Sequence, residues 1–122
     1  MTDIAPIEIA DATNTTAGTV YYPSASGINS GQYTHLGIEL EAEDVTLSLE
    51  ASVTGSSWED ITVAVVDAGS FSYLAAAVVV PAGAGEYHLW DLEGCAFPLV
   101  RLVAVYPNGT NSLTATVTRR TP

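Results

Sequence analysis

Carboxylates are the most abundant groups in this sequence that could do chemistry, and three of them alternate along one segment. Glu39, Glu41 and Glu43 are each separated by one residue, so on an extended strand they share one face at intervals of about 7 Å. Calcium and magnesium prefer several convergent oxygens, so this row could hold a cation. A strand face exposed to water has the same pattern. We predict the solvated face, with no metal site and no cofactor, and leave cation binding by this row open.

The histidines and the cysteine have no neighbours in the sequence at a spacing typical of catalytic or metal sites. His35 and His88 lie far apart, and neither has an acid or thiol at a metal-binding spacing. Cys95 is the single cysteine, which excludes a disulfide within the chain, and its neighbours are acidic rather than basic. A nucleophilic thiol needs a lowered pKa. We therefore predict structural roles for these three residues, no catalytic residues and no enzymatic activity.

The two tryptophans could serve either the core or a ligand. Trp90 lies within a strand-like segment and is predicted to belong to the core. Trp58 follows the turn-like Gly55-Ser-Ser, so it could anchor the sheet or stack on a sugar ring. Both alternatives remain open for Trp58.

Charge excludes one class of partner. The chain has 122 residues, 3 Lys+Arg against 14 Asp+Glu, and a net charge of −11. Nucleic-acid binding needs a basic surface, so we predict no nucleic-acid partner. The only bases are Arg101, Arg119 and Arg120, and every acid precedes them. The longest apolar run, 74–82, is too short to span a bilayer, and the first residues do not form a signal peptide. We therefore predict no membrane association.

The pattern along the chain predicts an all-β fold. Apolar residues alternate with polar ones in 35–43 and 45–51, which is typical of strands with one wet face. Glu43-Asp44 and Pro107-Asn-Gly-Thr-Asn are predicted to close β-hairpins, and the run 74–80 is predicted to be one buried strand. The spacing predicts an antiparallel β-sandwich or jelly roll of eight to nine short strands. The predicted strands are 7–9, 18–22, 35–43, 45–51, 61–66, 74–80, 86–90, 99–106 and 112–119.

The first residues are predicted to stand apart from this sandwich. Residues 1–17 hold few large apolar side chains after Ile9. We predict an extended N-terminal arm over 1–17 and a single sandwich domain over 18–122.

Two segments resemble a class of phage proteins. The first is Leu47-Ser-Leu-Glu-Ala-Ser-Val-Thr-Gly-Ser-Ser-Trp-Glu-Asp-Ile-Thr, in which a strand ends in a turn with tryptophan and the next strand opens with Asp-Ile-Thr. The second runs from Phe97 through Arg101 and the 107–111 turn to a final strand ending in Arg-Arg. Over 47–122 the chain resembles structural β-sandwich proteins of tailed phages, which include head decoration (cement) proteins and tail accessory proteins.

The resemblance implies a non-enzymatic virion structural protein, and a capsid decoration protein is the expectation. Such a protein would be made in the host cytoplasm, bind the major capsid protein on the capsid exterior, stabilise the shell and form a homotrimer. The arm would contact the capsid through Ile4, Ile7 and Ile9 by strand addition.

The resemblance also assigns a role to the bases and leaves one alternative function. Arg101, Arg119 and Arg120 would meet an acidic face of a neighbouring subunit or of the shell, although pairing with acids of the same chain is equally compatible. The alternative function is a carbohydrate- or receptor-binding module of a phage tail or surface protein, with Trp58 as a glycan contact.

Overall fold

A computed structural model describes residues 2–29, 35–61, 63–67, 70–74, 78–80, 85–93 and 98–121. This part of the chain forms twelve β-strands and no helix. Accordingly, no helix there is long and apolar enough to cross a membrane. The strands are β1 (Thr2–Thr13), β2 (Gly18–Tyr22), β3 (Ile28–Asn29), β4 (His35–Glu43), β5 (Val45–Ser52), β6 (Glu59–Asp60), β7 (Val63–Asp67), β8 (Ser70–Leu74), β9 (Val78–Val80), β10 (Glu86–Glu93), β11 (Leu99–Tyr106) and β12 (Ser112–Thr121).

The strands form two antiparallel sheets. Sheet A has the order β1-β12-β4-β10-β7-β8, and sheet B has the order β2-β11-β5-β6, with β3 added to β11 and β9 added to β5. Nine strands are five or more residues long, and β3, β6 and β9 contain two or three residues. The predicted β-sandwich is confirmed.

The core lies between the two sheets and is built by alternation. Leu40 and Leu113 project inward from sheet A, and Leu47 and Leu102 project inward from sheet B, each at most 1% exposed. Glu39 and Glu41, which alternate with the buried residues of β4, point outward, as the sequence pattern predicts. Burial of such aliphatic side chains contributes about 1.5–3 kcal/mol each.

Both predicted hairpins are wrong in the same way, because each turn carries the chain from one sheet to the other. β4 lies in sheet A and β5 in sheet B, and β11 lies in sheet B and β12 in sheet A. The two turns meet, since Asn108 Nδ2 donates to Asp44 Oδ2 at 2.7 Å. Asp44 is buried and has a φ of 54°. Turn residues thus specify the reversal but not the pairing of the flanking strands.

The segment predicted as an arm is an edge strand of the sandwich. β1 pairs with β12 from Thr2↔Thr121 to Thr13↔Ser112, with register shifts between Ile4 and Ile7 and between Glu8 and Ala10. Residues 2–13 are therefore part of sheet A and not a separate arm in this structure.

The link from β1 to β2 is held by one buried amide. Asn111 is 3% exposed, its Oδ1 accepts from Thr15 N at 3.0 Å, and its Nδ2 donates to Thr15 O at 2.9 Å. Asn14 N also donates to Asn111 O at 2.7 Å. These bonds attach the N-terminal crossover to the turn that precedes β12.

The predicted single strand 74–80 is wrong as well. Leu74 ends β8 in sheet A, and Val78–Val80 forms β9 in sheet B. The residues between them, 75–77, lie outside the described part of the chain.

Candidate functional site

Arg101 lies on the outer side of sheet B and is bound within the chain. Its neighbours along β11, Val100 and Leu102, face the core, so Arg101 faces away from it. The arginine is nevertheless only 9% exposed. Its Nε and Nη2 both donate to Glu50 Oε1 at 2.8 Å, and its Nη1 donates to Ala25 O at 2.8 Å. The pairing of Glu50 with Arg101 follows from the β5–β11 register, in which the two residues are directly opposite.

Two aromatic rings cover this cation. Arg101 Cζ lies 3.8 Å from the centroid of the Tyr21 ring and 4.0 Å from that of the Trp58 ring. Cation–π contacts of a desolvated guanidinium contribute about 2 kcal/mol. We call Arg101, Glu50, Tyr21 and Trp58 the Arg101 cluster.

Trp58 is held by the loops around the cluster. Its Nε1 donates to Gly55 O at 3.2 Å, and a Cβ at Gly27 would lie 2.9 Å from its Cη2. The side chain is half-buried. Contact with a glycan, the alternative for Trp58, is untested and would use a ring that already contacts Arg101.

The other two arginines do not join this cluster. Arg119 is half-buried on β12 of sheet A, opposite Leu36 and Ile4. Arg120 is opposite His35, and its side chain lies outside the described part. Contact of the three arginines with another subunit stays a prediction. For Arg101, the structure shows the intrachain pairing that the sequence left open.

The two isoleucines of β1 whose side chains are described differ in burial. Ile7 is 41% exposed, whereas Ile9 is 9% exposed and belongs to the core. Ile7 is opposite the buried Val117 and so lies on the inner side of this edge strand, which means that Ile7 and Ile9 differ in how far they are covered rather than in the face they occupy. Ile9 is thus largely covered within this chain, and contact of these isoleucines with a capsid stays a prediction. The side chain of Ile4 lies outside the described residues.

The predicted solvated row of glutamates lies on the outer side of sheet A. Glu39 and Glu41 are exposed and Glu43 is half-buried, while Ile38, Leu40 and Ala42 between them are buried. Among the described residues, no group of three or more His, Cys, Asp or Glu side chains is placed to hold a metal ion.

Threonines separate this row from two acids of β1. Thr114 lies between Asp11 and Glu41, and Thr116 lies between Glu8 and Glu39. We call the surface formed by β1, β12, β4 and β10 on this side the acidic face. Among the side chains described there, the exposed carboxylates are Glu8, Asp11, Glu39 and Glu41.

An open groove lies at one end of the acidic face. Its volume is about 320 Å³, and the exposed ring of Tyr87 forms part of it. Tyr87 is opposite Glu41 in the sheet, and its hydroxyl donates to Glu39 Oε2 at 3.0 Å. The groove is lined by Glu41, Ala42, Gly85, Glu86, Tyr87, Ser112 and Thr114.

Sequence reasoning did not single out this groove, although one signal for it was present. Trp90 is predicted to be buried and is 3% exposed, which confirms it as a core residue. With Trp90 facing inward, period-2 alternation places Tyr87 and Leu89 outward. Both are exposed, at 53% and 37%.

The groups of catalytic type are only partly described. His88 is half-buried, and its Nε2 lies 3.0 Å from Glu86 Oε1. Cys95 and the side chain of His35 lie outside the described residues, so their structural roles stay predictions.

Comparison with known proteins gives one match at the level of fold. No protein-family model matches the chain, and no curated protein matches it. The structure is similar to the crystal structure of the SPBc2 prophage-derived protein YomS, with a TM-score of 0.55 and 11% sequence identity. The match covers 95% of each chain. The two proteins therefore share a fold over nearly their whole lengths.

Proposed function

We propose that this chain is a non-enzymatic structural protein of a phage virion, specifically a capsid decoration protein that binds the outside of the shell. The observation that carries the proposal is the shared fold with a prophage-derived protein over 95% of both chains. The resemblance of 47–122 to tailed-phage structural sandwiches is independent of that structural match, and both point to a phage-related protein.

The way the sandwich is tied together suits a shell-stabilising part. Such a part needs a body that resists unfolding. The turn after β4 is bonded to the turn after β11 through Asp44 and Asn108, and the crossover after β1 is bonded to Asn111. Three crossovers between the sheets are thereby joined at one end of the molecule.

The edge of sheet A supplies the shell contact in this proposal. β1 pairs only with β12 among the described strands, so its other edge is open to a strand of the major capsid protein. Strand addition provides backbone hydrogen bonds, and flanking side chains provide specificity. Ile7 is an exposed apolar side chain on this strand. A homotrimer of such copies on the shell completes the proposal, and the acidic face keeps neighbouring copies soluble.

The test is binding to expanded capsids of the phage that encodes this chain. We expect cosedimentation that saturates at a fixed number of copies per capsid, together with greater resistance of the capsids to heat. We expect Ile7→Asp to weaken binding at least tenfold, because it places a charge at the proposed contact. Val53→Asp is the matched control, since Val53 is also an exposed apolar residue, at 66%, and lies after β5 of sheet B.

Two outcomes would contradict the proposal. Absence of wild-type binding to expanded capsids rejects the decoration role, and retention on a glycan array that is lost in Trp58→Ala would support the carbohydrate-binding alternative. Equal effects of Ile7→Asp and Val53→Asp would reject β1 as the contact while leaving the decoration role in place.

A further inference from the structure

The groove beside Tyr87 is lined by hydroxyl, carboxylate and aromatic groups. Thr114, Glu41 and Tyr87 lie directly opposite one another on β12, β4 and β10, so a hydroxyl, a carboxylate and an aromatic ring form one row about 10 Å long. Ser112 lies at the first position of β12, and Gly85 precedes β10. A Cβ at Gly85 would meet no atom of the described residues within 4 Å. Its volume of about 320 Å³ gives room for one side chain of a partner.

The Tyr87 hydroxyl and the Glu41 carboxylate differ in whether they have a hydrogen-bond partner within the chain. The Tyr87 hydroxyl donates to Glu39 Oε2, and the residue as a whole is 53% exposed. Glu41 is exposed, and it has no hydrogen bond or ion pair with the residues the structure describes. The groove therefore presents a π surface next to an uncompensated carboxylate.

The two arginines whose side chains the structure describes are remote from this site. Arg119 lies five positions after Thr114 on β12, which corresponds to about 17 Å along the strand. That distance exceeds the Debye length of about 8–10 Å at ordinary ionic strength. Arg101 is on the outer side of the other sheet and is neutralised by Glu50. The groove thus lies among acidic side chains, with no basic side chain among its described lining residues.

The Arg101 cluster is an example, within this protein, of what a carboxylate beside an aromatic ring can bind. In the Arg101 cluster, a guanidinium is bound by the carboxylate of Glu50 and contacts the ring of Tyr21 at 3.8 Å. The groove offers the same two groups, Glu41 and Tyr87, without the cation. A guanidinium is planar, donates hydrogen bonds to carboxylate and hydroxyl oxygens, and stacks on aromatic faces.

We propose that the groove lined by Tyr87, Glu41, Thr114 and Ser112 binds an arginine side chain of a partner protein. Glu41 accepts hydrogen bonds from the guanidinium, Tyr87 stacks on it, and the hydroxyls of Thr114 and Ser112 accept from its remaining N–H groups. This site does not depend on the virion role, so loss of capsid binding and loss of arginine binding are separate results.

The test uses a small peptide, acetyl-Gly-Arg-Gly-amide, and its citrulline analogue, which has nearly the same shape but no charge. We expect the arginine peptide to cause saturable NMR shift changes centred on Glu41, Tyr87 and Thr114. The citrulline peptide should cause none. Raising the salt from about 50 to 500 mM should weaken the binding severalfold, because an exposed ionic contact is screened.

Variants distinguish this groove from the general acidity of the chain. Glu41→Gln should weaken binding about three- to fivefold, as expected for an exposed ion pair, and Tyr87→Leu should weaken it by about the same factor through loss of the cation–π contact. Tyr87→Phe keeps the ring and should bind nearly as the wild type. Glu59→Gln, an exposed carboxylate on β6 of sheet B, is the matched control and should have no effect.

Three results would overturn the site. They are equal binding of the citrulline peptide, an unchanged affinity in Glu41→Gln, or shift changes spread evenly over the acidic residues. If Tyr87→Leu fails to fold, Glu41→Gln and the citrulline peptide still decide the question, because neither alters a buried residue.

Discussion

The two outer faces of the sandwich differ in whether their charged side chains are paired with an opposite charge. On sheet B, Arg101 is 9% exposed and is surrounded by Glu50, Tyr21 and Trp58. On sheet A, Glu39 and Glu41 are exposed beside the ring of Tyr87. The same types of group thus form a closed cluster on one side and an open surface on the other. A charge compensated inside the fold stabilises the fold, whereas an uncompensated exposed carboxylate remains available to a partner.

Register explains the difference. Arg101 is directly opposite Glu50, so its charge finds a carboxylate on the neighbouring strand. Glu41 is opposite Thr114 and Tyr87, which carry no positive charge. We therefore expect substitutions in the Arg101 cluster of sheet B to lower stability strongly, and substitutions on the acidic face of sheet A to change it little.

Replacement of Arg101 by methionine should have the largest effect. It leaves the half-buried Glu50 carboxylate without its cation and removes the guanidinium from two rings, and breaking a buried ion pair costs about 3–5 kcal/mol. The free energy of unfolding by urea measures this loss. The double variant Arg101→Met/Glu50→Leu should recover much of it, because no charge is left buried. A loss below about 1 kcal/mol would show that the pair behaves like an exposed one.

Gly27→Ala should be the next most damaging change. Gly27 has a φ of +72°, and a Cβ there would lie 2.7 Å from Val100 O and 2.9 Å from Trp58 Cη2. We expect destabilisation by about 2 kcal/mol from backbone strain and displacement of the loop over Arg101. In Gly109→Ala the new Cβ meets no atom within 4 Å, so that variant should melt close to the wild type. Similar melting temperatures for the two variants would mean that the Arg101 cluster does not need the close approach of this loop.

A smaller effect on stability is expected from ionisation of a buried tyrosine, Tyr106 on β11 of sheet B. The Tyr106 hydroxyl is bonded to that of Tyr22 at 2.8 Å, and burial is the main cause that raises the pKa of Tyr106 above its usual value of 10.0. The unfolded state loses this proton at lower pH than the folded state, so stability should fall as the pH rises above 10.

Tyr106→Phe should lower the free energy of unfolding by about 1 kcal/mol at neutral pH. It should also reduce the loss of stability above pH 10 by up to about 1.4 kcal/mol per pH unit. Urea unfolding between about pH 7 and 11 measures both effects. Parallel declines in the variant and the wild type above pH 10 would show that Tyr106 is not the group responsible.

The smallest effect is expected on the acidic face. Glu41→Gln removes one of several neighbouring negative charges, so it should leave stability unchanged or raise it by about 0.3 kcal/mol at low salt. The gain should vanish in high salt, because screening removes the same repulsion. A clear loss of stability in thermal melts would show that Glu41 is internally compensated, and the contrast between the faces would then fail.

Much of the fold was predictable from the sequence because strand faces are a local property. The alternation of Leu47 and Leu49 with polar residues predicted β5, and the strand-like surroundings of Trp90 predicted its burial. The hairpins were not predictable, because Asp44 and Asn108 favour a reversal whether the chain continues in the same sheet or enters the other. The different exposure of Ile7 and Ile9 was not predictable either, because it depends on how each side chain is covered at the edge of the sheet.

The sequence by itself determined that this protein is all-β, strongly acidic, and poor in bases that all come after the last acid. Only the tertiary structure decided that Arg101 meets Glu50, 51 residues away, and that Glu41 lies beside Tyr87 with no cation. The physical reason is that a period of two residues specifies the face of a strand but not its neighbour. Neighbours are set by which strands pair and in which register, and that pairing separates a closed arginine cluster from an open acidic groove.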